Sequence, residues 1–120
     1  MPHLVIEHSA NLGTLPLADL LPALNRSVTD GPEIQDEADL KTRVVAHEDY
    51  RVGNQAEHRA FVHAQLRLMA GRTPEAKRAL SERIAGVLRQ FVPRPAGVMV
   101  QLSVEIVDMD RSSYSKERLT

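Results

Sequence analysis

The chain has 120 residues, a formal net charge of −1, a hydrophobic fraction of 42% and a charged fraction of 26%. These values fit one soluble globular domain and argue against a disordered chain or a basic nucleic-acid-binding protein. The sequence contains no cysteine, which excludes disulfides and thiolate zinc sites. No apolar run is long enough for a signal peptide or a membrane span, so we expect a cytoplasmic protein without nucleic-acid or membrane partners.

Residues 1–48 predict a first β-α-β unit. The strand "PHLVIEHS" shows little alternation of polar and apolar residues, which predicts burial on both faces. A helical stripe follows at Leu17, Leu20, Leu21 and Leu24. Because Pro22 interrupts this stripe, the helix either kinks there or starts near Asp19 as its N-cap. The next strand is "DLKTRVVAH", in which Lys41 and Arg43 share one face.

Residues 60–107 predict a second β-α-β unit, after a polar connector at 49–59 and before a polar tail at 108–120. Its strands are "AFVHAQLRLMAG" and "GVMVQLSVEIVDM". Thr73 is a good N-cap and Pro74 occupies the favoured first helical position. The apolar face of this helix comprises Ala76, Ala79, Leu80, Ile84, Val87, Leu88 and Phe91. We expect the tail to reach a neighbouring subunit.

Two β-α-β units that share one sheet predict an α/β fold, an α+β two-layer sandwich. Its four-stranded mixed sheet carries both helices on one face. The uncovered sheet face is partly apolar, which favours an oligomer. When Pro2 is placed against Ala60, Lys41 falls opposite Met99, so the halves repeat in architecture but not in identity. Only one proline site per subunit is therefore expected.

The N-terminal proline is the candidate catalytic group, because none of the common catalytic motifs occurs. If Met1 is removed, the Pro2 nitrogen becomes a free secondary amine. A terminal amine titrates near ~8, and burial or nearby cations lower its pKa into the range of an effective general base. The alternative is that Pro2 has no catalytic role and is merely tolerated at the start of a strand. His58 and His63 form only a weak metal pair, and no metal site is predicted.

Three cations complete the candidate site: Lys41, Arg43 and Arg72. They could lower the pKa of the amine and bind an anionic substrate, with arginine offering a bidentate fork to a carboxylate. Arg72 precedes a helix N-cap, where the dipole favours anions, so it is expected to face a ligand or partner. Alternatively, Lys41 and Arg43 are solvated edge charges, or Glu7 and Glu105 pair with these cations and neutralise them.

Several segments of the chain resemble those of a known family. Pro2 followed by a strand in a β-α-β chain resembles the tautomerase superfamily, which uses an amino-terminal proline. More closely, "PHLVIEHSANL", "TRV", "AFVHAQLRLMAGR" and "LSVEI" resemble the 5-carboxymethyl-2-hydroxymuconate Δ-isomerase family over nearly the whole chain. The resemblance implies a homotrimer with the sheets inside, and a cofactor-free 1,3-allylic proton shift in homoprotocatechuate (4-hydroxyphenylacetate) breakdown.

The resemblance also implies roles for the site residues. Pro2 would carry the proton from the 2-hydroxyl group of a dienol to C5, and the cations would hold carboxylates and stabilise the dienolate. Arg72 and Arg43 match family arginines, whereas Lys41 replaces another, which keeps the charge but loses the fork. Two alternatives stay open: a tautomerase acting on another enol or 2-hydroxydienoate, and a non-catalytic trimer that binds a small anion.

Overall fold

The computed structural model describes all 120 residues and contains the predicted elements in the predicted order. The first half forms β1 (His3–Ser9), α1 (Leu17–Thr29) and β2 (Lys41–His47). The second half forms β3 (Arg59–Met69), α2 (Pro74–Phe91) and β4 (Met99–Met109). Short 3-10 turns at Ala10–Leu12 and Glu37–Asp39 lie in the connections of the first half.

The four strands form one mixed sheet in the order β2-β1-β3-β4. Each half supplies a parallel pair, and the halves join through the antiparallel pair of β1 and β3. The helices pack against each other and over one face of the sheet, around a shared aliphatic core. The predicted two-layer sandwich with both helices on one face is therefore confirmed.

Strand β1 alternates more than the sequence pattern predicts. Leu4 and Ile6 are fully buried against the helices, whereas Val5 and Glu7 lie half-buried on the open face of the sheet. The prediction of burial on both faces is wrong for the single chain, because nothing in it covers that open face. On β2, Thr42 turns to the helix side, where its hydroxyl donates to Asn25 Oδ1 at 2.5 Å.

Helix α1 begins at Leu17, before the start near Asp19 that one alternative predicts. Its N-cap position holds Pro16, which provides no side-chain cap. Pro22 lies inside the helix and removes the N–H that would bond to the carbonyl of Ala18. Three residues of this helix are fully buried, one turn apart from each other: Leu20, Leu24 and Val28.

Helix α2 starts as predicted. The Thr73 hydroxyl accepts a hydrogen bond from the Ala76 N–H at 3.1 Å, and Pro74 opens the first turn. Leu80, Ile84 and Leu88 form its fully buried stripe, whereas Ala79 is exposed, contrary to the predicted apolar face. No helix in the structure combines the length and the apolar character needed to cross a membrane.

The strand register corrects the way the two halves correspond. In the first half the Lys41 N–H donates to the Pro2 carbonyl at 3.1 Å, and in the second the Met99 N–H donates to the His58 carbonyl at 3.0 Å. The structural counterpart of Pro2 is therefore His58 and not Ala60. The prediction was wrong because the offset between the halves is not constant: it is 56 residues from His3 to Arg59 on the inner strands and 58 residues from Lys41 to Met99 on the outer strands.

Candidate active site

Pro2 lies directly before β1, at the end of the sheet where β2 also begins. Its carbonyl takes part in the sheet by accepting from Lys41, and its side chain is buried. Because the residue precedes the strand, its missing N–H leaves no ladder hydrogen bond unmade. The position therefore tolerates proline without structural cost, and it places the start of the chain at an edge of the core.

A cleft of about 430 Å³ opens beside this residue, and we call it the Pro2 cleft. It is built from four parts of the chain: the N-terminal residues, the connection between α1 and β2, the segment that joins β3 to α2, and the C-terminal tail. Its lining includes Met1, Pro2, Glu33, Arg72 and Arg111. The structure thus brings two of the predicted site residues, 70 positions apart in sequence, into one cavity.

The terminal amine at this place has a strongly lowered pKa. The Met1 nitrogen donates to the Asp39 carbonyl at 3.0 Å and lies 3.8 Å from the Asp39 carboxylate. Burial, followed by contact with the Lys41 ammonium, lowers the pKa of this amine from 8.0 to about 5, against the opposing effect of Asp39. The Met1 amine is consequently unprotonated at pH 7 and able to accept a proton.

The C-terminal tail packs beside the N-terminus of its own chain, and the expected contact with a neighbouring subunit stays a prediction. Lys116 Nζ contacts Asp39 Oδ1 at 2.5 Å, and Arg118 contacts the carboxylates of Asp36 and Asp39 at 2.7 and 2.8 Å. These two cations hold the pKa of the Asp39 carboxyl well below its usual range. No local sequence signal predicted this contact, since it joins residues 77 positions apart.

Arg72 is fixed more firmly than a solvent-exposed side chain would be. Its guanidinium donates to the carbonyls of Met69 at 2.8 Å and Glu33 at 2.7 Å. Its Nε lies 3.3 Å from the Glu33 carboxylate and is buried without a hydrogen-bond partner. The sequence predicted that Arg72 faces a ligand or a partner; the structure places it in the wall of the Pro2 cleft, with an unforeseen glutamate beside it.

Lys41 and Arg43 lie on the open face of the sheet, on the same side of β2 as predicted. Lys41 pairs with His3 in the strand register and contacts the terminal amine. Arg43 lies one pleat further along β2 and donates from Nη1 to His3 Nδ1 at 3.2 Å. The structure therefore groups Pro2, Lys41 and Arg72 around the N-terminus, and it places Arg43 in an adjacent cleft on the open face.

The acids that could have neutralised these cations pair with histidines. Glu7 lies 3.4 Å from His47, and Glu105 accepts from His63 at 2.5 Å. His58 lies 3.7 Å from the carboxylate of Glu57. No group of three His, Asp or Glu side chains converges closely enough to hold a metal ion.

Comparison with protein families matches residues 2–119 to the model of the 5-carboxymethyl-2-hydroxymuconate isomerase family. Comparison with curated protein sequences gives no match. A solved 5-carboxymethyl-2-hydroxymuconate isomerase from Deinococcus radiodurans R1 is similar at 28% identity and a TM-score of 0.87, over 98% of this chain and 90% of that one.

Two further solved structures share the fold. A 5-carboxymethyl-2-hydroxymuconate delta-isomerase is 22% identical with a TM-score of 0.73, over 100% of this chain and 89% of that one. A protein described as a fused 4-OT wild-type symmetric trimer is 22% identical with a TM-score of 0.69, over 95% and 90% of the two chains. Since the family match covers nearly every residue, the chain belongs to the 5-carboxymethyl-2-hydroxymuconate isomerase family and is an isomerase.

Proposed function

We propose that this isomerase moves a proton within a carboxylated 2-hydroxydienoate of the 5-carboxymethyl-2-hydroxymuconate type, with the Pro2 amine as general base. The substrate belongs to the breakdown of homoprotocatechuate (4-hydroxyphenylacetate). The observation that carries the proposal is the lowered pKa of the Met1 amine, one residue before Pro2 in the lining of the Pro2 cleft. A base that titrates below pH 7 is unprotonated at neutral pH and ready to accept a proton.

In the proposed reaction, the Pro2 nitrogen takes the proton of the 2-hydroxyl group and returns it to C5. The O–H bond breaks, the double bonds shift along the chain, and a new C–H bond forms, so the product is the conjugated 2-oxo isomer. Negative charge develops on the substrate oxygen during this step. Lys41, beside the amine, and Arg72, in the wall of the cleft, supply fixed positive charge for it.

We further propose a homotrimer. The open face of the sheet carries half-buried apolar side chains that nothing in a single chain covers, and Val45 and Met99 remain 40% and 49% exposed there. The solved structure of the same fold that is described as a fused 4-OT symmetric trimer supports this state. A second copy of this chain would remove that apolar surface from water.

The test is to prepare the protein with no N-terminal tag, confirm the loss of Met1 by mass spectrometry, and follow enol-to-keto conversion by ultraviolet absorbance. With Met1 attached, Pro2 is a tertiary amide and cannot act as a base, so we expect activity only in the processed form. Blocking the Pro2 nitrogen by retained Met1 should lower kcat/KM by about 10²-fold or more, the usual contribution of a general base, and Pro2→Ala, which offers only a primary amine, should lower it as well.

Equal rates for the processed protein and Pro2→Ala would overturn the proline mechanism. A processed protein that is inactive on several 2-hydroxydienoates, yet binds them, would instead indicate a small-anion-binding protein. Activity on another dienol but not on 5-carboxymethyl-2-hydroxymuconate would assign a different substrate. This outcome matters here because Lys41 replaces a family arginine. Size and light-scattering measurements on the same samples test the trimer.

A further inference from the structure

Arg72 faces an acid of its own chain inside the Pro2 cleft. Glu33, in the connection between α1 and β2, lines the same cleft, and its carboxylate lies 3.3 Å from Arg72 Nε. The Arg72 side chain is 22% exposed and that of Glu33 is 19% exposed, so dissolved ions screen this pair only weakly. The arginine that a ligand carboxylate would approach therefore already has a carboxylate beside it.

Main-chain contacts hold the guanidinium in place without using all of its donors. A guanidinium carries two N–H groups on each terminal nitrogen and one on Nε, and it accepts no hydrogen bond. One N–H of Nη1 donates to the Met69 carbonyl at 2.8 Å, and one of Nη2 donates to the Glu33 carbonyl at 2.7 Å. The second N–H of each terminal nitrogen and the Nε–H have no acceptor within the chain.

The contact between the two charges is incomplete. Nε lies close to the Glu33 carboxylate, yet it is buried and forms no hydrogen bond, because its N–H does not point at the carboxylate oxygen. An ion pair without a hydrogen bond is weaker than the bidentate pair that an arginine and a carboxylate can form. Glu33 therefore balances the charge of Arg72 without satisfying its donors.

The Glu33 carboxylate can leave the arginine while the loop around it stays in place. The Glu33 carbonyl accepts from Nη2, which ties the backbone at this residue to the guanidinium. The carboxylate is tied by no hydrogen bond, and a flexible side chain of rotatable single bonds joins it to that backbone. Side-chain rotation alone would thus remove the negative charge from Arg72 and leave the arginine where it is.

We propose that Glu33 competes with anionic ligands for Arg72, so that a ligand carboxylate binds there only after it displaces the Glu33 carboxylate. Two carboxylates beside one guanidinium repel each other, and the incoming group gains the N–H groups that Glu33 leaves unused. Glu33 thus lowers the affinity of the Pro2 cleft for anions relative to neutral molecules of the same shape. The proposal rests on the proposed function only for the place where a ligand lies.

Sorbate and sorbamide, titrated into the untagged full chain and followed by NMR chemical shifts, test this proposal. They share one diene chain without a 2-hydroxyl group, so neither undergoes the proposed reaction, and they differ only in a carboxylate against a neutral amide. Glu33→Gln keeps the size of the side chain and removes its charge. We expect this variant to bind sorbate about 10-fold more tightly than the wild type, the effect of one charged hydrogen bond, and to bind sorbamide equally well.

Glu37→Gln is the matched control. Glu37 lies in the same connection, is exposed and forms no ion pair, so this variant removes an equal charge without releasing Arg72. It should leave both affinities close to those of the wild type. In an Arg72→Gln background, Glu33→Gln should change sorbate affinity by less than about 2-fold, because no guanidinium remains to be released.

Unchanged or weaker binding of sorbate by Glu33→Gln, including no binding by either protein, would overturn the proposal. An equal gain in sorbamide affinity would also overturn it, by assigning the effect to the shape of the cleft. An equal gain in sorbate affinity in Glu37→Gln would assign the effect to the net charge of the chain. A gain that persists without Arg72 would assign it to another cation, and either result would contradict competition at Arg72.

These outcomes do not depend on the proline reaction. If the processed protein isomerises no 2-hydroxydienoate while Glu33→Gln binds sorbate more tightly, the proposed reaction fails and the competition at Arg72 stands. If isomerisation requires a free Pro2 nitrogen while Glu33→Gln and the wild type bind sorbate equally, the reaction stands and the competition fails.

Discussion

The two β-α-β halves have the same plan, but only one of them can host the proposed chemistry. Each half buries three residues on one helix face, one turn apart, and joins its outer strand to its inner strand by an equivalent hydrogen bond. In the first half that bond ends on Pro2, one residue from the start of the sequence. In the second it ends on His58, an interior residue with a positive φ of 65°. A repeat of architecture therefore does not repeat a terminal amine.

The helices of the two halves also begin differently. Helix α2 has a side-chain cap at Thr73, whereas α1 has Pro16 in that position and a second proline, Pro22, inside. The loop before α2 carries Arg72, which reaches across to the Glu33 carbonyl in the first half. The second half, whose helix has a side-chain cap, thus supplies a fixed arginine to the cleft at the start of the first half.

Removal of this bridging arginine is expected to have the largest effect. Arg72→Ala takes away a charged donor in the Pro2 cleft, and kcat/KM of the processed enzyme should fall about 10–100-fold, as for the loss of a charge-assisted hydrogen bond. Ultraviolet kinetics measure this, with Arg78→Ala as the control on the outside of α2. A thermal melt on the same samples separates activity from folding. An unchanged kcat/KM would show that Arg72 only joins the two halves.

The substitution Lys41→Met makes the first half resemble the second, where Met99 occupies the equivalent position. Loss of the ammonium should raise the pKa of the Met1 amine above its value of about 5, although burial still lowers it, and we expect the same direction for the Pro2 amine of the processed enzyme. A general base works only when unprotonated, so the acid limb of kcat/KM in the processed enzyme should move to higher pH, with lower activity at pH 7.

Lys41→Arg is the matched control for this shift, because it keeps the charge and should keep the acid limb near its original position. NMR titration of the terminal amine in the protein that retains Met1 gives a second readout. An acid limb that stays in place in Lys41→Met would mean that burial alone lowers the pKa of the amine.

The smallest expected effect tests the capping difference. Thr73→Ala should lower the free energy of unfolding by about 1 kcal/mol, because the Ala76 N–H loses its acceptor. Thr73→Ser retains a hydroxyl and should cost only a fraction of that. Urea denaturation measures both variants. Equal stability of Thr73→Ala and the wild type would show that α2 depends on its buried stripe and not on its cap.

Local signals in the sequence were sufficient for much of the fold. The order of the elements, the parallel pairing within each half and the start of α2 at Pro74 follow from periodicity, capping residues and connection rules. The start of α1 was wrong in one alternative, because Asp19 is a good capping residue while Pro16 gives no capping signal. The correspondence between the halves failed for a similar reason, since strand register depends on pairing across the sheet.

The candidate site, like the fold, was predicted from the sequence only in part. Pro2, Lys41 and Arg72 were predicted from residue chemistry and resemblance, and the structure brings them together. Glu33 beside Arg72, Arg67 opposite His3 on the open face of the sheet, and the tail at Asp39 were not predicted. Each of these depends on contacts between distant parts of the chain, for which a single sequence carries no local pattern.

The docked tail links the site to ionic strength. Lys116 and Arg118 hold the tail to Asp36 and Asp39 through exposed ion pairs, which dissolved salt screens. As salt weakens these pairs, the Asp39 carboxylate, 3.8 Å from the terminal nitrogen, is less neutralised by the tail. The salt dependence of the reaction would then report on the C-terminal segment of the chain as well as on the attraction of an anionic substrate.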